Sequence, residues 1–375
     1  MPSEDHGSPA SPSNGELTVT ASSQRPRMTV DSSTIEMMSC GAVFNTSGWQ
    51  QAWARCTVES VYQRRLLTAD GVDQMEVRLP LYATADSALW RGYEGDAGMT
   101  DVLAGPITYA SSLYAISSPL NRCRSDQVVS LVDEALDQAR AWETTALAVT
   151  NVEPGLVLTQ LRQQRPPDVA VRLDATCRRA LPGCVEDFLT GLGKSARSEL
   201  RRRSRRAEEQ DVVFHERTGS AAAAILPSFY AVTAETAQRH GSKPLYDLCT
   251  LKAVLDVPGA RLLTAEYGSD LLAGTLSVLH DGCLVVWAGG ALESTLHTHH
   301  SYIYLLGKTV QWALDHGCSF MDFGRGTFEF KQRHGFGRTD LYTLYYLTDP
   351  AGQQGSRLAK QLAEVDARIH EFLGF

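Results

Sequence analysis

The sequence predicts an α/β protein with two domains, and three observations predict it. Strand-like and helix-like segments alternate from residue 75 onward, the order of a layered α/β structure. Residues 260–290 read as three strands joined by the short turns Gly268-Ser269-Asp270 and His280-Asp281-Gly282, an antiparallel meander. The chain has 375 residues, beyond the size at which single hydrophobic cores stop growing. The expected division is a disordered tail over 1–40, an N-terminal domain over 41–181 and a C-terminal domain over 182–375.

Each element has its own signal. Residues 1–38, rich in Ser, Pro, Thr and Gly, are expected to stay disordered, with order beginning near Gly41. Trp49, Trp53 and Val58 share a helical face and mark an entry helix over 48–56. Met75, Val77, Leu79 and Leu81 alternate as in a strand, and a glycine-rich loop follows over 90–98. Glu94 and Asp96 in that loop are candidates for recognising an amine. Ser125 is placed to cap a helix over 126–142, whose Val128, Leu131, Val132, Ala135 and Leu136 form one stripe. A strand over 146–150, a helix begun by Pro154 and a strand over 169–173 complete the first block.

Pro182 opens the second block. It holds helices over 185–192 and 195–209, a strand over 212–216, and helices over 221–240 and 246–255. The meander comes next, then a helix over 301–316, strands over 318–323 and 341–347, and a C-terminal helix over 357–372.

Composition sets bounds. The chain is 43% hydrophobic and 21% charged, ordinary for a soluble protein. A net charge of −8 argues against a surface coated by nucleic acid, while leaving room for a local basic site. Eight scattered cysteines include no Cys-x-x-Cys pair, so buried free thiols in a reducing cytosol are expected. His297, His299 and His300 have no metal-ligand spacing and read as a polar helix entry; no metal is expected. No signal peptide and no apolar run long enough to span a membrane is found, so a cytoplasmic location is expected.

Two segments carry chemistry. Residues 194–206 hold seven cations against the single Glu199. Glu199 with Arg203 and Arg205 with Glu209 are spaced for i,i+4 pairing, which leaves Arg197, Arg201, Arg202 and Arg206 without local partners. Crowding of like charge suggests that a phosphate visits, and Arg201 and Arg202 are the candidates to hold it. The second segment is Asp322-Phe323-Gly324-Arg325-Gly326, followed by Phe330-Lys331. Its glycines permit a sharp turn and close approach to substrate. Asp322, Arg325 and Tyr302, at the head of the apolar helix, are candidate substrate-binding residues.

Together these segments resemble the Fem-type transferases, which are built on the GNAT acetyltransferase fold; the likeness is sharpest over 186–336. The resemblance implies two GNAT-like domains, each a mixed, mainly antiparallel sheet flanked by helices, the first a degenerate copy. It implies amide formation by acyl or aminoacyl transfer. In that family a lysine following an aromatic residue stabilises the tetrahedral oxyanion, a position that Lys331 matches. A GNAT coenzyme A loop, (Arg/Gln)-x-x-Gly-x-(Gly/Ala), is not found in Ala288-Gly289-Gly290-Ala291-Leu292-Glu293. Its absence favours aminoacyl-tRNA as donor, with acyl-CoA the alternative and no tightly bound cofactor.

Cell-wall Fem enzymes carry Arg-Gly-Pro with a nearby Asp; this chain has Ala104-Gly105-Pro106 and no close carboxylate. A long helical arm has no room between Arg206 and Ala221. A small-molecule or peptide amine therefore becomes the expected acceptor, as in antibiotic assembly, ahead of a cell-wall peptide bridge. An inactive Fem-like binding module is the non-enzyme alternative.

Overall fold

The computed structural model describes residues 40–373 apart from 57, 72–75 and 104. The expected tail over 1–38 lies outside the described residues. After a 3₁₀ turn at Cys40–Asn45, helix α1 (Ser47–Ala54) is capped by the Thr46 hydroxyl and buries Trp49 and Trp53, as their shared face requires. Strands β1 (Glu59–Asp70) and β2 (Glu76–Ser87) form a hairpin, and α2 (Ala88–Asp96), β3 (Ile107–Ala110), α3 (Ser125–Ala141), β4 (Ala146–Val152), α4 (Leu156–Gln164) and β5 (Val169–Ala180) follow.

The second block runs α5 (Val185–Thr190), α6 (Lys194–Glu209), β6 (Val212–Arg217), α7 (Gly219–Arg239) and α8 (Leu248–Leu255). The meander β7 (Ala260–Tyr267), β8 (Asp270–His280) and β9 (Cys283–Ala291) comes next. Then come α9 (Glu293–Thr298), α10 (Ser301–Asp315), β10 (Phe320–Asp322), α11 (Phe328–Arg333), β11 (Gly337–Leu347) and α12 (Gln353–Leu373).

The eleven strands among the described residues lie in one sheet, in the order β1-β2-β3-β4-β11-β5-β10-β9-β8-β7-β6. The two blocks repeat one plan. In each, three antiparallel strands (β1-β2-β3, β7-β8-β9) lead to a fourth that pairs in parallel with the third (β3 with β4, β9 with β10). The final strands are exchanged. β5, from the first block, pairs antiparallel with β10 of the second, while β11, from the second, pairs antiparallel with β4 of the first. β5 and β11 also pair with each other along Val169–Cys177 and beyond. The sheet is mixed and mainly antiparallel, with helices on both faces, and the main-chain ladder passes through both blocks without a break.

Burial follows this plan. One core, from Trp49 and Tyr109 to Trp287 and Tyr345, extends under both blocks, while Leu305, Met321 and Phe336 belong to a second core and Leu131, Val149 and Leu344 to a third. α12 closes over the first block, where Asp366 accepts from the Arg172 amide at 2.7 Å.

Three expectations are corrected. The glycine-rich loop over 90–98 is helix α2, begun by a Ser87 cap on the Trp90 amide. No helix was expected between the strands over 318–323 and 341–347, yet the chain becomes helical at Phe328. Cys283 is disulfide-bonded, where free thiols were expected; Cys56, Cys123, Cys177 and Cys318 are buried thiols. No helix among the described residues is long and apolar enough to cross a membrane.

Because each block lends a strand to the other, neither piece should fold by itself. Fragments 41–181 and 182–375 expressed separately are expected to lack cooperative thermal unfolding, and to recover it when mixed. A cooperative transition in either fragment alone would contradict the exchange.

Candidate active site

The site begins where β10 ends. With only three residues, β10 joins β9 through Phe320–Asp322 opposite Cys283–Val285, and joins β5 opposite Arg178–Ala180. β9 continues to Ala291 and β5 reaches back to Val169. Beyond Asp322 the two have no strand between them, and a gap opens in the sheet.

Residues 323–327 occupy the apex of that gap. The Phe323 amide donates to the Cys177 carbonyl at 2.7 Å, and the Cys177 amide to the Gly324 carbonyl at 3.1 Å. Gly324 has φ +69°, and a Cβ there would sit 2.6 Å from the Val286 carbonyl oxygen, so both backbone and space require glycine. Gly326 (φ +72°) and Thr327 (φ +46°) bend the chain again into α11.

Asp322 is fully buried and fully engaged. One oxygen accepts from the Thr176 hydroxyl and from the Gly324 amide at 2.9 Å, the other from Arg178 Nε at 2.6 Å. Arg178 in turn binds Glu153 and donates to the Ile116 carbonyl at 3.2 Å. Despite the cost of burial, Glu153 and Asp322 push the Arg178 pKa up. Asp322 therefore holds the apex together, and full burial keeps its carboxylate from a substrate.

Arg325 crosses from the second block to the first. Nη1 donates to the Tyr93 hydroxyl at 3.1 Å, and Nη2 to the Ala115 carbonyl and Asn151 Oδ1, each at 2.6 Å. Its Nε lies 3.6 Å from Asp174. The guanidinium expected to bind substrate is largely committed to positioning the gap wall.

Lys331 is 3% exposed, and α11 points its ammonium back at the apex loop. Nζ donates to the Gly324 carbonyl at 3.1 Å and to the Arg325 carbonyl at 2.6 Å, and lies 5.4 Å from the Phe323 ring. Burial lowers its pKa to about 8, with Cys177, Asp322 and Asp174 opposing that fall. Tyr302 packs on Phe330 at 5.2 Å and hydrogen-bonds Thr327, joining α10 to the loop.

The basic segment folds as expected into α6, whose Leu200 and Ser204 press against Gly307 of α10. Arg203–Glu199 and Arg205–Glu209 form at 2.9 and 3.4 Å. Arg201, expected to lack a partner, pairs with Glu186 from α5. Arg202 stays exposed. His300, in the left-handed conformation, begins α10, and burial followed by the charges of Arg203, Arg206 and Arg202 lowers its pKa. Cations thus gather at the first turn of α10, where helix amides already favour an anion.

The first block does not place both of its candidates alike. Glu94 is 1% exposed and accepts from Trp90 Nε1, Arg91 Nη1 and the Leu103 amide, so helix formation buries it away from solvent. Asp96 is exposed at the end of α2, and its pKa is raised by partial burial and by the neighbouring charge of Asp174. Asp174, Arg178, Glu153, Asn151 and Tyr93 were missed. One signal was present for two of them: Arg172, Asp174 and Arg178 fall on one face of β5, opposite the apolar Val171, Leu173, Ala175 and Cys177. A separate recess of about 510 Å³ lies beside Ser47, Gln51, Arg55 and Asp256, and none of the apex residues lines it.

Comparison with known proteins agrees with this fold. Residues 194–332 match the family model described as Acetyltransferase (GNAT) domain, a span that runs from the start of α6 to Lys331 and one residue beyond. The crystal structure of FemX is similar at 12% identity and a TM-score of 0.55, covering 83% of this chain and 96% of that one. The structure of L-PGS from Bacillus licheniformis is similar at 12% identity and a TM-score of 0.51, covering 80% and 89%. These two likenesses are likenesses of fold. None of the curated proteins matches the chain.

Lys331 gives a pH signature. Its pKa falls from 10.5 in the unfolded chain to about 8 in the folded one, so burying the charged form costs about 3 kcal/mol below pH 8. That cost is relieved as pH rises from about 8 to 10.5. Lys331→Met should be the more stable protein near neutrality, and its advantage should shrink across that window in urea titrations. An advantage independent of pH would contradict the buried ammonium.

Proposed function

We propose that this chain, which carries a GNAT-type acyltransferase domain in a Fem-type fold, moves an aminoacyl group from aminoacyl-tRNA to the amine of a small-molecule or peptide acceptor. The observation that carries the proposal is the buried Lys331 ammonium at the apex of the sheet gap. An ammonium has three N–H donors, and two are taken by carbonyls. The third is available to a carbonyl oxygen of the donor. As the amine attacks, the C–N bond forms and negative charge gathers on that oxygen, where a preorganised cation in a dry site is most effective. Collapse breaks the ester bond to the ribose, and the leaving oxygen takes up a proton.

Donor phosphate is assigned to the first turn of α10 with Arg202 and Arg206, Arg201 being occupied by Glu186 and Arg203 by Glu199. The same cluster would suit the pyrophosphate of an acyl-CoA, which keeps that donor as the second reading. A small acceptor is supported by the stretch from Arg206 to Ala221, which holds only the end of α6, β6 and the start of α7. A tRNA donor would place the reaction in the cytoplasm, and antibiotic assembly is the setting that such an acceptor suits best.

The donor is tested by following radiolabelled amino acid from charged tRNA into an amine of a cell extract. RNase pretreatment should abolish the transfer. Transfer from an acyl-CoA that survives RNase would replace this reading with the second one.

For Lys331, the Met variant should lose turnover by about a hundredfold, on the scale of one oxyanion donor, with little change in donor affinity. The ratio of parent to variant turnover should fall as pH passes about 8, because the parent ammonium loses its proton there. A ratio that rises with pH would make Lys331 a base instead, and variants within a few-fold of parent would leave it a structural brace.

A further inference from the structure

We infer that Asp174 is the acceptor-amine residue of this site: its carboxylate holds the attacking amine in the sheet gap and takes its proton. This rests on the transfer reading above and deepens it. Amines arrive mostly as ammonium near neutral pH, so attack needs a group to remove a proton.

The carboxylates around the apex can be sorted by what their oxygens already do. Asp322 is fully buried, with all its contacts internal. Glu153 is taken by Arg178, Ser117 and Asn121. Glu94 is buried behind Trp90 and Arg91. Asp174 differs. Its Oδ1 accepts from the Ala175 amide and its Oδ2 from the Tyr93 hydroxyl, both at 2.8 Å. A carboxylate can accept about four hydrogen bonds, so acceptor capacity remains. The Arg325 Nε, at 3.6 Å, has no hydrogen-bond partner among the described residues and leaves that capacity unfilled. The side chain is 15% exposed, against 0% for Asp322.

Position favours the same residue. Asp174 lies on the part of β5 that has lost its β10 neighbour, and thus on the wall of the gap. Its charge is felt at Lys331, Arg325 and Arg338, and also at Tyr93, Tyr246 and Asp96. Arg325 is fixed by Ala115 and Asn151. Asp96 adds a second negative charge beside Asp174, which draws a cation in. Tyr246, its ring 4.2 Å from that of Trp287, supplies an aromatic face on the β9 side.

The step balances without a further reagent. Asp174 accepts a proton from R–NH₃⁺, the freed lone pair forms the C–N bond, and the oxyanion meets Lys331. Collapse expels the alkoxide or thiolate, which takes up the second proton from the nitrogen, and Asp174 releases the first proton to solvent.

The test uses the full chain and compares two nucleophiles with either charged tRNA or acetyl-CoA as donor. Hydroxylamine is mainly neutral near neutral pH and needs no base; n-butylamine is cationic and does. Asp174→Asn, which can still accept from Tyr93, should lose about a hundredfold with butylamine. Its rate with hydroxylamine should stay within a few-fold of parent. Asp174→Glu keeps the charge and should recover part of the butylamine rate, which keeps the idea testable if the Asn variant folds poorly. Equal losses with both nucleophiles, or no loss with either, overturn the role of Asp174. A parent enzyme that passes no acyl group from either donor to either nucleophile overturns the transfer reading, and the assignment falls with it.

Discussion

The site depends on a buried arginine. Arg178, on the strand that the first block lends to the second, is held between Glu153 of the first block and Asp322 of the second. Breaking such a pair by removing one partner typically costs roughly 3–5 kcal/mol, because a charge is then left buried without compensation. Here the consequence is also geometric. Asp322 ends β10 and fixes the Gly324 amide; Gly324 sets the turn; the turn presents the two carbonyls that receive Lys331. Arg178 is the link through which the exchanged strands define the apex of the gap.

The exchange also explains why the halves cannot divide the work cleanly. Lys331 and the basic helix come from the second block, but Tyr93, Asn151 and Asp174, which shape the opposite wall, come from the first. Within the first block, the corresponding opening between β3 and β4 is filled by the chain itself. Residues 111–118 are buried there, with the Ser112 carbonyl held by Asn151 and the Tyr114 carbonyl by Trp287. A block with its own opening closed becomes wall and support for the other.

Much of this was legible in the sequence because the relevant forces are local. The stripe of α3, the turns of the meander and the charge run of α6 fix their elements through periodicity and hairpin chemistry, and the Gly324–Lys331 pattern pointed to the apex. Long-range pairing hid the rest. β1 was missed because it is an edge strand with Tyr62 and Leu66 about half exposed, so the alternation that marks a strand is absent. β3 was missed because its four residues are buried on both faces and read as an ordinary apolar stretch. Glu94 looked available only while α2 was taken for a loop. Asp174 acquires its meaning from β10 ending where it does, which no local pattern encodes.

The central claim is that the reacting carbonyl lies in the gap between β5 and β9, against Lys331. The most direct test is a crystal structure with a stable amide analogue of the aminoacyl-tRNA terminus, 3′-aminoacylamino-3′-deoxyadenosine. The account predicts the analogue carbonyl oxygen at about 3 Å from Lys331 Nζ, the distance of a hydrogen bond to an ammonium. A carbonyl bound elsewhere, with Lys331 still closed onto Gly324 and Arg325 and untouched by ligand, would contradict it.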